Sequence, residues 1–300
     1  MSTERLQPVR QSSNVMILDG AMGTELARRG VDTGLPLWSA SALLYAPDVV
    51  RQIHLDYLRA GSQIITTDTF RVNVRTLARA GLRQRMRELT FSAVELARQA
   101  VSATGRGDVR IAGSMAPVED CYSPGLVSLD EGVLLSEHTA LAQLLAEAGC
   151  DVLLLETMNT VREAAAAARA ASQTGLPVWV SLMLGADNRL LSGESLGDAV
   201  ASVMPYQPQA VLLNCLPVAQ VAGALALLKD ALHAHDAISL GVYANAGHVG
   251  ADGWSMEGGV TPQEYADAAA AWRAAGATII GGCCGTTPDH IGAVTARLAH

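Results

Sequence analysis

Eight times along the chain, a short run of aliphatic and β-branched residues gives way to a turn and then to an Ala/Leu-rich stretch of helical periodicity. The runs lie at 15–18, 63–67, 109–113, 152–156, 178–184, 210–214, 239–243 and 278–282. Several are apolar almost throughout, as parallel strands buried on both faces must be, and not alternating like half-exposed antiparallel strands. Eight such rounds with no shift in composition between them predict an α/β fold, a parallel sheet closed into a (β/α)8 TIM barrel in preference to an open doubly wound sheet. Local signals agree. Thr160 followed by Glu163 reads as a capping box after the fourth run, and Pro262 sits just inside a helix that opens at Thr261. A chain of 300 residues, half of them hydrophobic, can bury one such core. A single domain is therefore expected over 15–300, preceded by a disordered polar tail at 1–14.

Charge and composition narrow the partners. Asp and Glu outnumber Lys and Arg by 29 to 21 with no basic run, which argues against a nucleic-acid surface or an anionic membrane and points to small-molecule substrates. The tail lacks the apolar run of a signal peptide, so a cytoplasmic location is expected. The stretch at 210–228 is apolar and long, but Asn214, Pro217 and Gln220 interrupt it, and a buried strand leading into a helix fits better than a membrane span. Five cysteines without a secretory signal favour reduced thiols with a metal or catalytic role over a disulfide framework. Oligomeric state leaves no mark on the sequence.

In barrels of this class the site is built from the C-terminal ends of the strands and the loops that follow. The chemically capable residues fall there: Asp19 after the first run, Thr67, Asp68 and Thr69 after the second, Glu156 after the fourth, Cys215 after the sixth, Tyr243 and Asn245 after the seventh, and Cys283 and Cys284 after the eighth. The long irregular stretches lie at 32–47, 115–129 and 247–259, and two of them follow strand ends directly, as lids over the mouth.

Three thiolates converging on one face suit Zn2+, and three protein ligands leave the fourth tetrahedral position to a substrate. Consecutive strand residues point to opposite faces. Cys283 and Cys284 can therefore share a metal only if the chain turns there, which the flanking glycines of Gly281-Gly282-Cys283-Cys284-Gly285 permit. Cys150 precedes a strand, away from the mouth, and reads as a small buried hydrophobe. Cys121 is on the mouth side and reads as a bystander. The histidines have no HExxH spacing, and His248 in a lid reads as solvated. Thiolate ligands cancel the charge of the metal, so such a centre is a poor activator of water. It is suited to capturing a substrate thiol and leaving its sulfur able to attack. Sulfur alkylation is the expected reaction, and an anionic centre favours a cationic electrophile, a sulfonium or a quaternary ammonium.

The motifs LDGAMGTEL at Leu18, PLWSA at Pro36, HLDYLRAGSQIITTDTF at His54, AGSMAP at Ala112, LLLETM at Leu153, LNC at Leu213, VYANAG at Val242 and IGGCCGTTPDHI at Ile280 resemble those of the homocysteine S-methyltransferases. That zinc-dependent barrel family includes the S-methylmethionine enzymes, the betaine enzymes and the first module of cobalamin-dependent methionine synthase. The resemblance covers 15–299. It implies that Cys215, Cys283 and Cys284 are the zinc ligands, that homocysteine sulfur is the fourth, and that Asp19 and Glu156 hold the amino-acid end. Two carboxylates can receive its ammonium while amides near Gly20 receive its carboxylate. The other readings of those acids are a turn or helix cap before Thr24 for Asp19, and an arginine pair for Glu156.

The sequence departs from the S-methylmethionine pattern at Thr67-Asp68-Thr69-Phe70, where that subgroup more often has Ser-Tyr-Gln. The expected donor is S-methylmethionine or S-adenosylmethionine, with betaine, a separate methyl carrier, or another thiol or selenol acceptor as alternatives. The donor pocket is expected to draw on Trp38, Thr69, Phe70, Tyr243 and Asn245, with Tyr122 and Trp254 as further aromatic candidates for cation–π contact. Readings from other classes are a zinc-stabilised binding or sensor barrel and a thiol redox protein, the latter lacking a CxxC.

Overall fold

The computed structural model describes residues 15–250, 253–255 and 259–299, without the side chains of 248–250 and 253–255. The expected tail at 1–14 and the side chains of His248 and Trp254 lie outside the described residues. Eight parallel strands form one sheet: β1 (Met16–Ile17), β2 (Ile64–Thr66), β3 (Arg110–Met115), β4 (Val152–Met158), β5 (Val178–Leu182), β6 (Ala210–Pro217), β7 (Ser239–Asn245) and β8 (Ile279–Gly282). They pair in the order β1-β8-β7-β6-β5-β4-β3-β2. The bridge between Leu18 and Ile64, with Gln63 N donating to Ile17 O at 2.8 Å and Asp19 N to Ile64 O at 2.9 Å, joins β1 to β2 and closes the ring. The expected barrel is the observed one.

Each strand is followed by the helix of the same number: α1 (Pro47–Arg59), α2 (Met86–Thr104), α3 (Glu131–Ala148), α4 (Val161–Ser172), α5 (Leu196–Val203), α6 (Val218–Ala231), α7 (Pro262–Ala274) and α8 (Pro288–Leu298). Their ends are fixed by local chemistry. Asp130 caps α3 by accepting from the amides of Gly132 and Val133, and Thr261 with Glu264 forms a reciprocal capping box behind Pro262. The box expected at Thr160 forms only by half. Thr160 accepts from the Glu163 amide, but the Glu163 carboxylate turns inward to accept from Val118 N at 2.8 Å and lies 3.1 Å from His138 Nε2. A buried carboxylate must be paired, and the loop after β3 offers the better partner.

The unbroken apolar runs are explained by two hydrophobic layers. Successive strand residues alternate between the barrel interior and the helix-facing side. Ile64, Leu154, Leu212 and Ile279 join the inner cluster, while their neighbours Ile65, Leu153, Leu213 and Ile280 join the outer one. Among the described residues Trp179 is the bulkiest fully buried side chain, and it fills the inner layer. Gly241 makes room opposite, because a Cβ there would lie 2.6 Å from the Leu212 side chain.

Strands β3, β4, β6 and β7 run two or three residues further toward the mouth than the sequence reading ended them. In β4 and β6 the added residues follow a register shift, after which pairing resumes at Met158 and Pro217. In the expected lid at 247–259, His248–Gly250 pairs antiparallel with Gly253–Ser255 as a short ribbon. Among the described residues no helix is long and apolar enough to cross a membrane, and 210–228 is the β6–α6 unit.

Trp179→Ala is expected to destabilise the barrel by about 3–5 kcal/mol, read as a lowered urea midpoint. A shift of less than about 1 kcal/mol would mean that the inner layer collapses around the gap.

Candidate metal centre and substrate cavity

At the mouth, the strand geometry departs from regularity where the chemistry needs it. Along β6, Leu212 faces in and Leu213 out, so Asn214 faces in and regular alternation would send Cys215 toward the helices. Instead, Cys215 adopts a left-handed backbone, φ 58°, within a register shift between Asn214 and Pro217. The kink turns its side chain into the mouth. Strand β4 carries the same device at Thr157, φ 62°, within a shift between Leu155 and Met158. Each left-handed non-glycine residue costs about 1–2 kcal/mol. Asn214, fully buried, holds both in place. Its Oδ1 accepts from Thr157 N at 3.0 Å and Ser181 Oγ at 2.7 Å, and its Nδ2 donates to Thr157 Oγ1 at 2.9 Å.

On β8 the turn comes from glycine. Gly282 N donates to Asp19 O at 2.9 Å and Cys283 N to Ala244 O at 2.8 Å, while Gly285 has φ 81°. A Cβ on Gly282 would clash with Thr286 Oγ1, so the approach of Thr286 excludes any side chain. Thr286 Oγ1 donates to Cys283 O at 2.7 Å and accepts from Ala21 N at 3.1 Å, tying the cysteine turn to the loop after β1.

The sulfurs of Cys215, Cys283 and Cys284 all lie within 4.8 Å of one another. Two thiolates on one tetrahedral zinc stand about 3.8 Å apart, so small side-chain adjustments suffice to bind the ion. The sulfurs also share protons. Hydrogen bonds from Cys283 and Cys284 pull the Cys215 thiol well below its ordinary value, and both donors are pushed up in turn. Tyr122 Oη lies 3.3 Å from Cys215 Sγ, and Asn245 Nδ2 donates to the same sulfur at 3.8 Å.

The cysteines border a cavity of about 230 Å³, a size for small-molecule reactants, whose walls include Asp19, Gly20, Trp38, Asp68, Phe70, Arg71, Glu156 and Tyr243. Asp19 accepts from Thr66 N at 2.7 Å and Thr66 Oγ1 at 2.9 Å. The helix Gly23–Arg28 has Met22 at its N-cap without a side-chain bond, so Asp19 is not its cap. Glu156 accepts from Ser114 Oγ and from Tyr243 Oη at 3.4 Å, and among the described residues no arginine pairs with it. Desolvation raises both acids, Asp19 to about 8 and Glu156 to about 7, with Glu156 adding a smaller upward push on Asp19 and the Cys215 charge one on Glu156.

The residues expected around a donor divide. Trp38 and Phe70 line the cavity and meet edge-on with centroids 5.5 Å apart, and Tyr243 lies deeper against Glu156. Thr69 is absent from the wall among the described residues. Its hydroxyl is buried, donating to Ser114 O at 2.7 Å and bonded to Thr67 Oγ1 at 2.8 Å, because the turn after β2 directs it at β3. Asn245 is likewise not on the wall, its amide engaging Cys215 Sγ. Cys121 lines the cavity but stands outside the three-sulfur cluster, and burial pushes its thiol up. Cys150 is buried behind Gly113, its thiol raised by burial to about 12. Sequence reasoning missed the parts played by Asn214, Ser114 and Thr66. Asn214 had a signal, a polar residue at the end of an apolar strand, directly before a cysteine.

A closed parallel barrel with three thiols and two buried acids around a cavity at its mouth defines a small-molecule barrel enzyme built for thiol or metal chemistry. Comparison with known proteins makes the class specific. Residues 16–298 match the homocysteine S-methyltransferase family model. A curated relative, the homocysteine S-methyltransferase of Escherichia coli (strain K12), is 34% identical over 97% of this chain and 98% of its own. A selenocysteine methyltransferase from Astragalus bisulcatus is 29% identical over 94% and 92% of the two chains. The crystal structure of the Escherichia coli homocysteine methyltransferase MmuM in its metallated form superposes with a TM-score of 0.81 at 32% identity, covering 97% of this chain and 100% of that one. The chain belongs to the homocysteine S-methyltransferase family.

Because burial raises Asp19 and Glu156, the native chain holds their protons to higher pH than the unfolded chain does. Their stabilising contribution is complete below about pH 4 and is lost as pH rises through about 7 for Glu156 and about 8 for Asp19. Asp19→Asn is expected to make the fall in melting temperature between pH 4 and pH 8 of the metal-free protein shallower. A decline as steep as that of the wild type would show that Asp19 ionises freely.

Proposed function

We propose that this enzyme transfers a methyl group from a cationic donor, S-methylmethionine or S-adenosylmethionine, to the thiolate of L-homocysteine, giving methionine, with Zn2+ held by Cys215, Cys283 and Cys284. The observation that carries this reading is the three-sulfur cluster on the wall of a cavity that also contains two buried carboxyl groups. Sulfur-only ligation fits zinc, and the cysteines are reduced in the structure. A zinc ion so held favours ionisation of a substrate thiol while keeping its sulfur nucleophilic.

The chain's own groups have separable tasks. Asp19 and Glu156 take the homocysteine ammonium, and the amide of Gly20 beside them takes its carboxylate. Ser114 and Tyr243 orient Glu156, Thr66 orients Asp19, and Asn214 holds the kinks that aim Cys215 and follow Glu156. Both acids must lose their protons to bind an ammonium, so binding of an amino acid strengthens as pH rises toward 8. The acceptor thiol gives up its proton on binding, and its sulfur lone pair forms the new S–CH3 bond. The donor's C–S bond breaks with the electron pair staying on the donor sulfur, which leaves as a neutral thioether. With S-methylmethionine, both products are methionine. The surplus of acids and thiols over Arg71 around the cavity supports a cationic donor.

A selenol acceptor is the second reading, supported by the similarity to the selenocysteine methyltransferase. Competition between the two acceptors in one assay separates them.

Methionine formation by the zinc-loaded enzyme, with S-methylmethionine, S-adenosylmethionine, betaine and methyltetrahydrofolate in parallel, tests the reaction and the donor together. Turnover only with a non-sulfonium donor would overturn the donor assignment. Cys283→Ala is expected to lose both zinc and methyl transfer while the far-UV circular dichroism stays native, and loss of fold would mean a structural metal. Glu156→Gln is expected to raise KM for homocysteine about tenfold or more. An unchanged KM would remove Glu156 from acceptor binding.

A further inference from the structure

Asp68, at the end of β2, is 2% exposed, and neither of its carboxylate oxygens has a hydrogen-bond partner. It lines the cavity, and burial pushes it up to about 6 against a smaller opposing effect of the nearby Ser39 hydroxyl, which stands short of hydrogen-bond geometry. A buried carboxylate left so is unfavourable unless something arrives to pair with it. One turn later, Arg71 lines the same cavity. Its Nη2 donates to Asp120 at 2.9 Å, while its Nε is buried without a partner. Asp68 and Arg71 form no ion pair with each other among the described residues, although three positions apart. Trp38 and Phe70 line the wall with them, and the Arg71 guanidinium carbon lies 5.8 Å from the Phe70 centroid.

The cavity wall thus carries two sets of polar groups. Asp19, Glu156 and the cysteines form the first, and the proposed acceptor accounts for them. The second offers one anion without partners and one cation with a free N–H, flanked by aromatic rings. This is the complement of a zwitterionic α-amino-acid head, whose ammonium supplies N–H donors to a carboxylate and whose carboxylate accepts from a guanidinium. A quaternary ammonium donor has no N–H to offer, and a folate has no ammonium group.

We infer that Asp68 and Arg71 bind the α-ammonium and α-carboxylate of an amino-acid-type sulfonium donor, and thereby select such donors over betaines and simple sulfoniums. The inference rests on the proposed methyl transfer for the donor's identity, and on the cavity alone for the head group. The Asp68 oxygens are closed to water in the free chain, so seating the ammonium requires a local adjustment of the wall that carries Trp38 and Ser39.

Binding of S-methylmethionine to the zinc-loaded enzyme by calorimetry, in wild type and Asp68→Asn, is the test. The substitution keeps the shape and removes an unpaired buried charge, so the melting temperature is expected to hold or rise. S-methylmethionine affinity is expected to fall about tenfold or more. The wild-type preference, as kcat/KM, for S-methylmethionine over dimethylsulfoniopropionate, which lacks the α-ammonium, is expected to narrow by the same factor. Unchanged affinity in the variant, no binding to the wild type, or equal use of the two donors by the wild type would overturn the assignment. Binding that depends on Asp68 without any methionine formed would keep this site and retract the proposed reaction.

Discussion

The amide of Asn214 reaches across from β6 to the end of β4, and the candidate site depends on that contact. Strand alternation is rigid. A residue one position past an inward-facing one points outward, and in a barrel outward means into the helix layer. Cys215 escapes that rule through a left-handed kink, and Thr157 repeats the kink two strands away. Neither is stable by local preference. Asn214 occupies the inward position between them, bonds both the amide and the hydroxyl of Thr157, and is steadied by Ser181. One buried side chain thus fixes the backbone on either side of β5, and with it the approach of Cys215 to the cysteine turn on β8.

Desolvation then sets the chemistry. Asp19, Glu156 and three thiols share one mouth, and burial keeps the two acids protonated to unusually high pH. Among the sulfurs, protons are shared so that Cys215 alone is strongly favoured as thiolate. The two carboxyl groups therefore carry less charge than they would in water, while the sulfurs concentrate theirs on Cys215. A cation that enters, whether metal or ammonium, exchanges for protons and strengthens the ionised forms in a medium that screens poorly. Affinity for cations and tolerance of a buried acid cluster are two sides of one arrangement.

Much of this was legible in the sequence. The runs beginning at Val152, Val178, Ala210 and Ser239 start where the strands do, and Cys215, Cys283 and Cys284 were placed at strand ends because barrels build there. Gly282 announced a turn, and the structure adds why nothing larger fits, the hydroxyl of Thr286. What stayed hidden depends on tertiary partners. The kink at Cys215 has no glycine to betray it. Thr69 was drawn into the donor pocket by its position and is turned away by a bond to Ser114. Glu163 carries a capping signature that a loop from β3 overrides. The unpartnered state of Asp68 is a property of the packing around it, which no spacing of residues encodes.

The placement of the cysteines also bears on whether a metal would belong to the fold or to the chemistry. Cys283 and Cys284 lie beyond the last paired residue of β8, Gly282, and Cys215 sits inside the register shift of β6, where pairing is interrupted. The barrel is closed by the β1–β2 contacts and filled by Trp179 and its neighbours, with Cys283 only packing against the edge of that cluster. Backbone bonds pin the cysteine turn on two sides, through Gly282 N to Asp19 O and Ala246 N to Cys284 O at 3.0 Å. Structural zinc sites commonly stand in for a missing core, as in small metal-folded domains. Here the core is complete, so a metal held by the three sulfurs would serve the chemistry at the mouth and not stand in for packing.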